Sequence, residues 1–506
     1  MIHSENGILM AKGEKPAYLL PQMSNRHGLV SGATGTGKTT TLKVMAESFS
    51  DAGVPVFLAD VKGDLASLAE PGSMNPKLKE RLVSVGIDDF TFSSYPVCFW
   101  DLFGESGHKV RTTVSEMGAF LLSRLLDLND TQTGVLNMVF RIADDRGMLL
   151  LDLKDLRSML QYTAERSREF MLDYGNINSQ SAGAILRKLM ALEDQGGSSF
   201  FGEPALDIYD WIRTSADGRG YINILHSSKL FHTPSMYSTF LLWMLSELFE
   251  ELPEAGDTAK PKMVFFFDEA HLLFKNAPRV LLEKAEQVIR LIRSKGVAVF
   301  FISQYPADLP PEILGQLGNR IQHALRAYTP KDQTLVRAAA QTFRSNPSFD
   351  TVTAVTELGT GEALLSFLDK NGRPGIVERA LILPPRSKFG TISDELRKKI
   401  IMESPMNGKY DRSIDRESAY EMLKFKAMQE QESAKLETER EEMRKKMEQE
   451  ARESAKLYKK TVPRNTRAGG FDLGRTFEKT TSSLANTIGR ELGRSIIRGL
   501  LGSLRR

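Results

Sequence analysis

The stretch Gly32-Ala33-Thr34-Gly35-Thr36-Gly37-Lys38-Thr39 constrains this chain more than any other, because it fits G-x-x-x-x-G-K-[ST]. That spacing works in one setting, a short strand passing through a glycine-rich turn into a helix. Gly32, Gly35 and Gly37 let the backbone turn tightly, so that successive N–H groups face a phosphate. A helix beginning near Lys38 adds its positive N-terminal dipole. Lys38 is then expected to reach the β- and γ-phosphates. Thr39 offers its hydroxyl to Mg2+, and Thr40 follows in the first turn. The flanks agree: residues 28–31 are a short strand and residues 38–50 have helical character. The expected ligand is ATP with Mg2+.

Residues 54–59 form an unbroken apolar run between Gly53 and Asp60, as expected of a buried parallel strand. The βαβ start implies a right-handed crossover. From about 104 to 216 the pattern changes to apolar residues at three- and four-residue spacing, over 114–127, 134–144, 153–165 and 181–193. Strand and helix then alternate again: 221–225, 234–252, 263–267, 280–294 and 297–302. A late hairpin is expected from 363–368 and 376–383. The expected divisions are 1–103 and 217–385 for two parts of one α/β core, with 104–216 as a helical insertion. A charged helical segment at 386–460 and a linker with a basic tail helix at 461–506 would follow.

A phosphate loop of this type needs an acidic group at the end of a neighbouring strand to hold the metal. Met263-Val-Phe-Phe-Phe-Asp-Glu-Ala-His271 supplies it. Five apolar residues carry Asp268 to the strand's carboxyl end, where it can hold Mg2+ through water. Glu269 can then polarise the attacking water as general base. His271 is either a relay between nucleotide and substrate or a packed, capping histidine. Asp60 ends the strand after the P-loop helix and is expected near the nucleotide. Gln304 ends the 299–303 strand, where its amide can sense the γ-phosphate or orient water.

Taken with Ala59-Asp60-Val-Lys-Gly-Asp64, F-I-S-Q ending at Gln304, Gly318-Asn-Arg-Ile-Gln-His-Ala-Leu-Arg326 and Leu358-Gly-Thr-Gly-Glu-Ala363, these motifs resemble the HerA/FtsK branch of RecA-like P-loop ATPases. The resemblance covers roughly residues 20–385, in order. More narrowly, the chain is similar to bacterial HerA-like proteins made of this core and a charged C-terminal tail. It implies a RecA-like P-loop NTPase fold with a mainly parallel sheet, a hexameric ring with ATP between subunits, and DNA as substrate. It also makes Arg320 and Arg326 candidates for an arginine finger reaching a neighbour's γ-phosphate, a role suited to a permanently charged, forked donor. HerA DNA translocases carry an N-terminal β-barrel, whereas the P-loop here begins at residue 32. The hydrolytic core is therefore expected to transfer better than the DNA substrate.

Composition narrows the partners little. The 67 Lys and Arg against 64 Asp and Glu leave a net charge of +3, so any basic surface must be local. The single cysteine, Cys98, excludes an internal disulfide and suits a reducing cytoplasm. No secretory h-region or membrane span is evident, which points to a cytoplasmic protein. Residues 411–460 hold 13 acidic and 13 basic side chains, either a solvated single helix or a coiled coil seamed by Leu436, Met443 and Met447. Leu484, Ile488, Leu492, Ile496, Leu500 and Leu504 recur every four residues, with Arg490, Arg494 and Arg498 opposite. This basic amphipathic helix would dock on protein, an anionic membrane or nucleic acid. Two functions remain open: a ring motor acting on DNA or on a DNA-bound partner such as a nuclease, and an ATP-dependent switch or scaffold for a protein or membrane assembly.

Overall fold

The computed structural model describes residues 3–4, 7–256, 258–274 and 279–461. The chain divides into two units, one ending at Ala427 and one starting at Met428. In chain order the strands are β1 (His3–Ser4), β2 (Gly7–Gly13), β3 (Pro16–Leu19), β4 (Gly28–Ser31), β5 (Val56–Asp60), β6 (Val97–Asp101), β7 (His108–Lys109), β8 (Ile222–His226), β9 (Met263–Phe267), β10 (Val297–Ser303), β11 (Asn319–Gln322), β12 (Glu362–Ser366) and β13 (Glu378–Ile382). They form one sheet in the order β1-β2-β13-β12-β11-β4-β10-β9-β5-β8-β6-β7, with β3 also on β2. From β11 to β7 every pairing is parallel. From β11 back to β1 every pairing is antiparallel.

The central strands are largely apolar because both faces of the sheet are covered. Along β9, Met263, Phe265 and Phe267 enter one core while Val264 and Phe266 enter the other. β10 alternates in the same way, Val299 and Phe301 against Phe300 and Ile302. On the second face α1 (Lys38–Asp51) drives Phe49 against Phe266 and Phe300, at ring separations of 6.4 and 6.3 Å. The first face takes the helices Pro234–Glu251 and Arg279–Ile292, and a ring series from Trp211 through Phe57 and Phe265. This is an α/β fold with a mainly parallel sheet covered by helices on both faces.

Between β7 and β8 lie the helices Val114–Leu125, Asp130–Asp145, Leu153–Glu165, Ser167–Tyr174, Ser179–Asp194 and Gly197–Phe200. Three start on reciprocal caps, Thr113 with Glu116, Asn129 with Gln132, and Asp152 with Asp155. Each cap satisfies two otherwise orphaned N–H groups. Their apolar faces join the first core rather than forming a separate one. Residues 386–427 also belong to the first unit. Arg397, on the helix Asp394–Glu403, lies 4.5 Å over the Phe99 ring, and the Tyr410 hydroxyl donates to Asp210 Oδ2 at 2.5 Å.

The helix Ala419–Thr461 begins in the first unit, where Ala419 and Leu423 are buried. In the second unit Leu436, Met443 and Met447 are 49%, 62% and 52% exposed, so within that unit the helix buries no seam. The basic repeat expected over 484–504 lies outside the described residues. Among the described residues no helix is long and apolar enough to cross a membrane.

Candidate active site

The parallel strands all end at one edge, where α/β sheets bind their ligands. Register sets the heights. Ser303 pairs with Ser31 and Phe301 with Phe267, so the P-loop, Gln304 and the Asp268–Glu269 pair leave adjacent strands at nearly one level. Lys38, Thr39, Asp268 and Glu269 line a single cleft together with Thr34, Gly35, Gly37, Thr40, Lys62 and Thr360.

The P-loop is shaped by what lies beneath it. Gly32 has φ +153°, and a Cβ there would fall 2.5 Å from His323 Cβ. His323 is buried, with Nε2 2.8 Å from Thr41 Oγ1 on α1 and Nδ1 2.9 Å from the Glu362 carbonyl on β12. It thus ties the loop, its helix and the antiparallel side of the sheet together. Burial pushes its pKa down to about 4, so the ring is neutral at pH 7. Ala33 N–H donates to the Ala324 carbonyl and Gly361 N–H to the Thr36 carbonyl, at 2.9 Å each. Thr36 Oγ1 donates to Ala33 O. Lys38 Nζ donates to the carbonyls of Gly32 and Ala33 at 2.5 and 3.1 Å. Burial lowers the Lys38 pKa, and the charges of Asp268 and Glu269 oppose that shift.

Asp268 is half-buried, and burial followed by the charge of Glu269 raises its pKa to about 6. Its Oδ1 accepts the Glu269 N–H at 2.9 Å, and its carbonyl accepts the buried Tyr237 hydroxyl at 3.1 Å. Glu269 takes φ +50°, a left-handed conformation that costs a glutamate about 1–3 kcal/mol and persists only where surroundings enforce it. Its carboxylate is flanked on both oxygens, by Lys62 Nζ at 3.8 Å and His271 Nδ1 at 3.4 Å. Asp268 and Thr39 give oxygen donors of the kind Mg2+ accepts, with phosphates and water completing its shell. Among the described residues no group of three or more His, Cys, Asp or Glu could hold a metal by itself. The donor set therefore suits a metal that arrives with a phosphate ligand.

The other expected residues divide. Gln304 leaves β10 beside Gly32 and is half-buried. Asp60 ends β5 level with Asp268, yet it does not line the cleft. Its buried carboxylate accepts Gly63 N–H at 2.7 Å, and burial with the charge of Asp64 raises its pKa to about 6. Lys62, two residues on, occupies the cleft instead. Arg320 sits on β11 level with Leu29, below the carboxyl edge, and donates to the carbonyls of Leu317 and Leu314. Arg326 lies past that edge, exposed, and donates to Thr356 O and Leu358 O. Lys62 and Thr360 line the cleft and His323 lies against Gly32 beneath the loop, although the motifs alone assigned them no role. Each stands inside a quoted motif, which was the signal available.

The chain is similar to proteins of related architecture. It is 21% identical over 364 residues to the DNA double-strand break repair helicase HerA of Sulfurisphaera tokodaii, covering 67% of this chain and 62% of that protein. It is 21% identical over 359 residues to the protein of the same name from Sulfolobus acidocaldarius, with the same coverage. The chain thus spans less than two thirds of the length of these curated relatives. Among solved structures it is similar to VirB4 of Thermoanaerobacter pseudethanolicus, at 16% identity and a TM-score of 0.49, covering 78% of this chain and 99% of that one. It is also similar to the conjugative coupling protein TrwBdeltaN70, at 14% identity and a TM-score of 0.48, covering 78% and 92%. The model described as "Helicase HerA-like C-terminal" matches residues 5–506, and the chain belongs to that family.

Proposed function

We propose that this protein hydrolyses ATP with Mg2+ and uses the energy to move duplex DNA or to drive a DNA-processing partner. One observation carries the hydrolytic half: the P-loop lysine, the Thr39 hydroxyl, Asp268 and the strained Glu269 share one cleft. The N–H groups of residues 34, 35 and 37–39 and the dipole of α1 would face the phosphates, those of Ala33 and Thr36 being bonded within the fold. Lys38 places positive charge where the β- and γ-phosphate oxygens gain negative charge in the transition state. Thr39 and Asp268 hold Mg2+, which when bound neutralises charge on the phosphate oxygens. Glu269 accepts a proton from water as that water attacks the γ-phosphorus, and Gln304 orients the water from the adjacent strand. Hydrolysis yields ADP and inorganic phosphate.

DNA as substrate rests on family membership and on the similarity to the HerA DNA repair helicases. Ring assembly, by family resemblance a hexamer, would bring an arginine from one copy to the next copy's γ-phosphate. Arg326 suits that task better than Arg320, because it lies beyond the carboxyl edge and is exposed. ATPase rate measured on a size-defined oligomer with and without duplex DNA at low salt tests the proposal. Stimulation by duplex supports the motor. Hydrolysis indifferent to DNA, with no DNA binding, removes the DNA half and favours an ATP-driven switch acting on protein.

A further inference from the structure

Glu269 is held by a residue the hydrolytic scheme does not use. Lys62 stands in the turn after β5, and its geometry is fixed on both sides. Asp60 Oδ1 accepts Gly63 N–H at 2.7 Å, and Ser228 Oγ donates to the Val61 carbonyl at 3.0 Å. Gly63 takes φ +80°, a value glycine adopts freely, and its Cβ position is open, so the turn needs conformation rather than space. Leu58 pairs with Phe266, which sets Asp60 level with Asp268 and brings the turn beside Glu269. The Lys62 side chain, 55% exposed, thus reaches over the cleft with its ammonium 3.8 Å from Glu269 Oε1. It lines the same cleft as Lys38 and Thr39.

Resting on the reading of this cleft as an ATP site, we propose that Lys62 is a positioning residue for which Glu269 and the terminal phosphate of ATP compete. The ammonium has a long flexible stem and three donors, so it can exchange a carboxylate for a phosphate oxygen without moving backbone. With Lys62 Nζ beside one oxygen and His271 Nδ1 beside the other, the Glu269 carboxylate is screened from an attacking water. A γ-phosphate draws Lys62 away and frees Oε1 to face the attacking water. ADP lacks that phosphate and leaves the pair in place. Lys62 therefore couples recognition of the triphosphate to release of the base.

The test uses the full chain with Mg2+, a fluorescent non-hydrolysable ATP analogue and the matching ADP analogue. Lys62→Ala should weaken the ATP analogue by about 10- to 100-fold, the size of one lost charge-assisted contact, and leave the ADP analogue unchanged. Lys62→Arg should restore the preference for the triphosphate. Glu269→Gln should tighten the ATP analogue more in the parent chain than in the Lys62→Ala chain, because only the former has a lysine to release. Equal loss of both nucleotides, no loss of either, or an equal effect of Glu269→Gln in the two backgrounds would overturn the proposal. If the parent chain bound neither nucleotide, the reading of the cleft would fall first and this inference with it.

Discussion

His27 offers a test of the fold whose size follows from the structure. The ring is buried beneath β10, where Val299 N–H donates to Nδ1 at 3.1 Å and Nε2 lies 2.8 Å from the Ile289 carbonyl. Because Nδ1 accepts, the proton sits on Nε2 and donates to Ile289. Protonating Nδ1 would set one N–H against another. Burial is the main cause that pushes the His27 pKa down to about 4; the bond to Ile289 opposes this and the Arg293 charge assists it. The unfolded chain takes up its proton near pH 6.5, so the unfolded state binds more protons between about pH 6.5 and 4. The stability that neutral His27 confers is therefore complete above about pH 6.5. It is lost as pH falls, at about 1.4 kcal/mol per unit and about 3 kcal/mol in all. His323 acts in the same direction, whereas Asp60 and Asp268, raised to about 6, act in the opposite one. A difference measurement isolates His27. His27→Asn removes the titrating ring, and the backbone strain at φ +56°, ψ 176° is borne by both chains. Urea unfolding of both chains from about pH 7.5 to about pH 4.5 should show a constant gap above about pH 6.5 that narrows by about 1.4 kcal/mol per unit below it. A gap of the same size at every pH would refute the reasoning.

Gly32→Ala places a methyl 2.5 Å from His323 Cβ and 3.0 Å from Thr36 Oγ1. Overpacking of this kind costs about 1–3 kcal/mol, so a lowered melting temperature and loss of binding to a fluorescent ATP analogue are expected together. A chain ending at Ala427 should retain the cooperative melt and helical signal of the first unit, since that unit holds the sheet and both of its faces. Circular dichroism on the shortened chain checks this, and a non-cooperative melt would count against it.

The phosphate site was legible because its chemistry allows little freedom. Glycines at 32, 35 and 37, the lysine after them and an acidic pair after five apolar residues can be read without a partner in space. The buried parallel strands were legible for a related reason. With both faces covered they carry few polar residues, and Met263–Phe267 carries none. What escaped depends on tertiary structure. β11 reads Asn319-Arg-Ile-Gln, four residues with little apolar pattern, and exists because β4 and β12 pair with it on either side. β2 extends the sheet by pairing onto β13, which lies more than 350 residues away, and β3 in turn pairs onto β2. The role of His323 depends on its contact with Gly32, which only the β4–β11 register creates. For Asp60 the sequence placed the strand end correctly at the carboxyl edge. The side chain, however, is used to hold the turn at Gly63, and the cleft receives Lys62 instead.

The central claim is that Glu269 activates water in a cleft that binds ATP through the P-loop. Single-turnover hydrolysis by Glu269→Gln, with binding of the ATP analogue measured in parallel, tests it most directly. The account predicts that binding persists while hydrolysis falls by about 100- to 10,000-fold, the contribution of a positioned general base. Hydrolysis at the parent rate by the Glu269→Gln chain would contradict it.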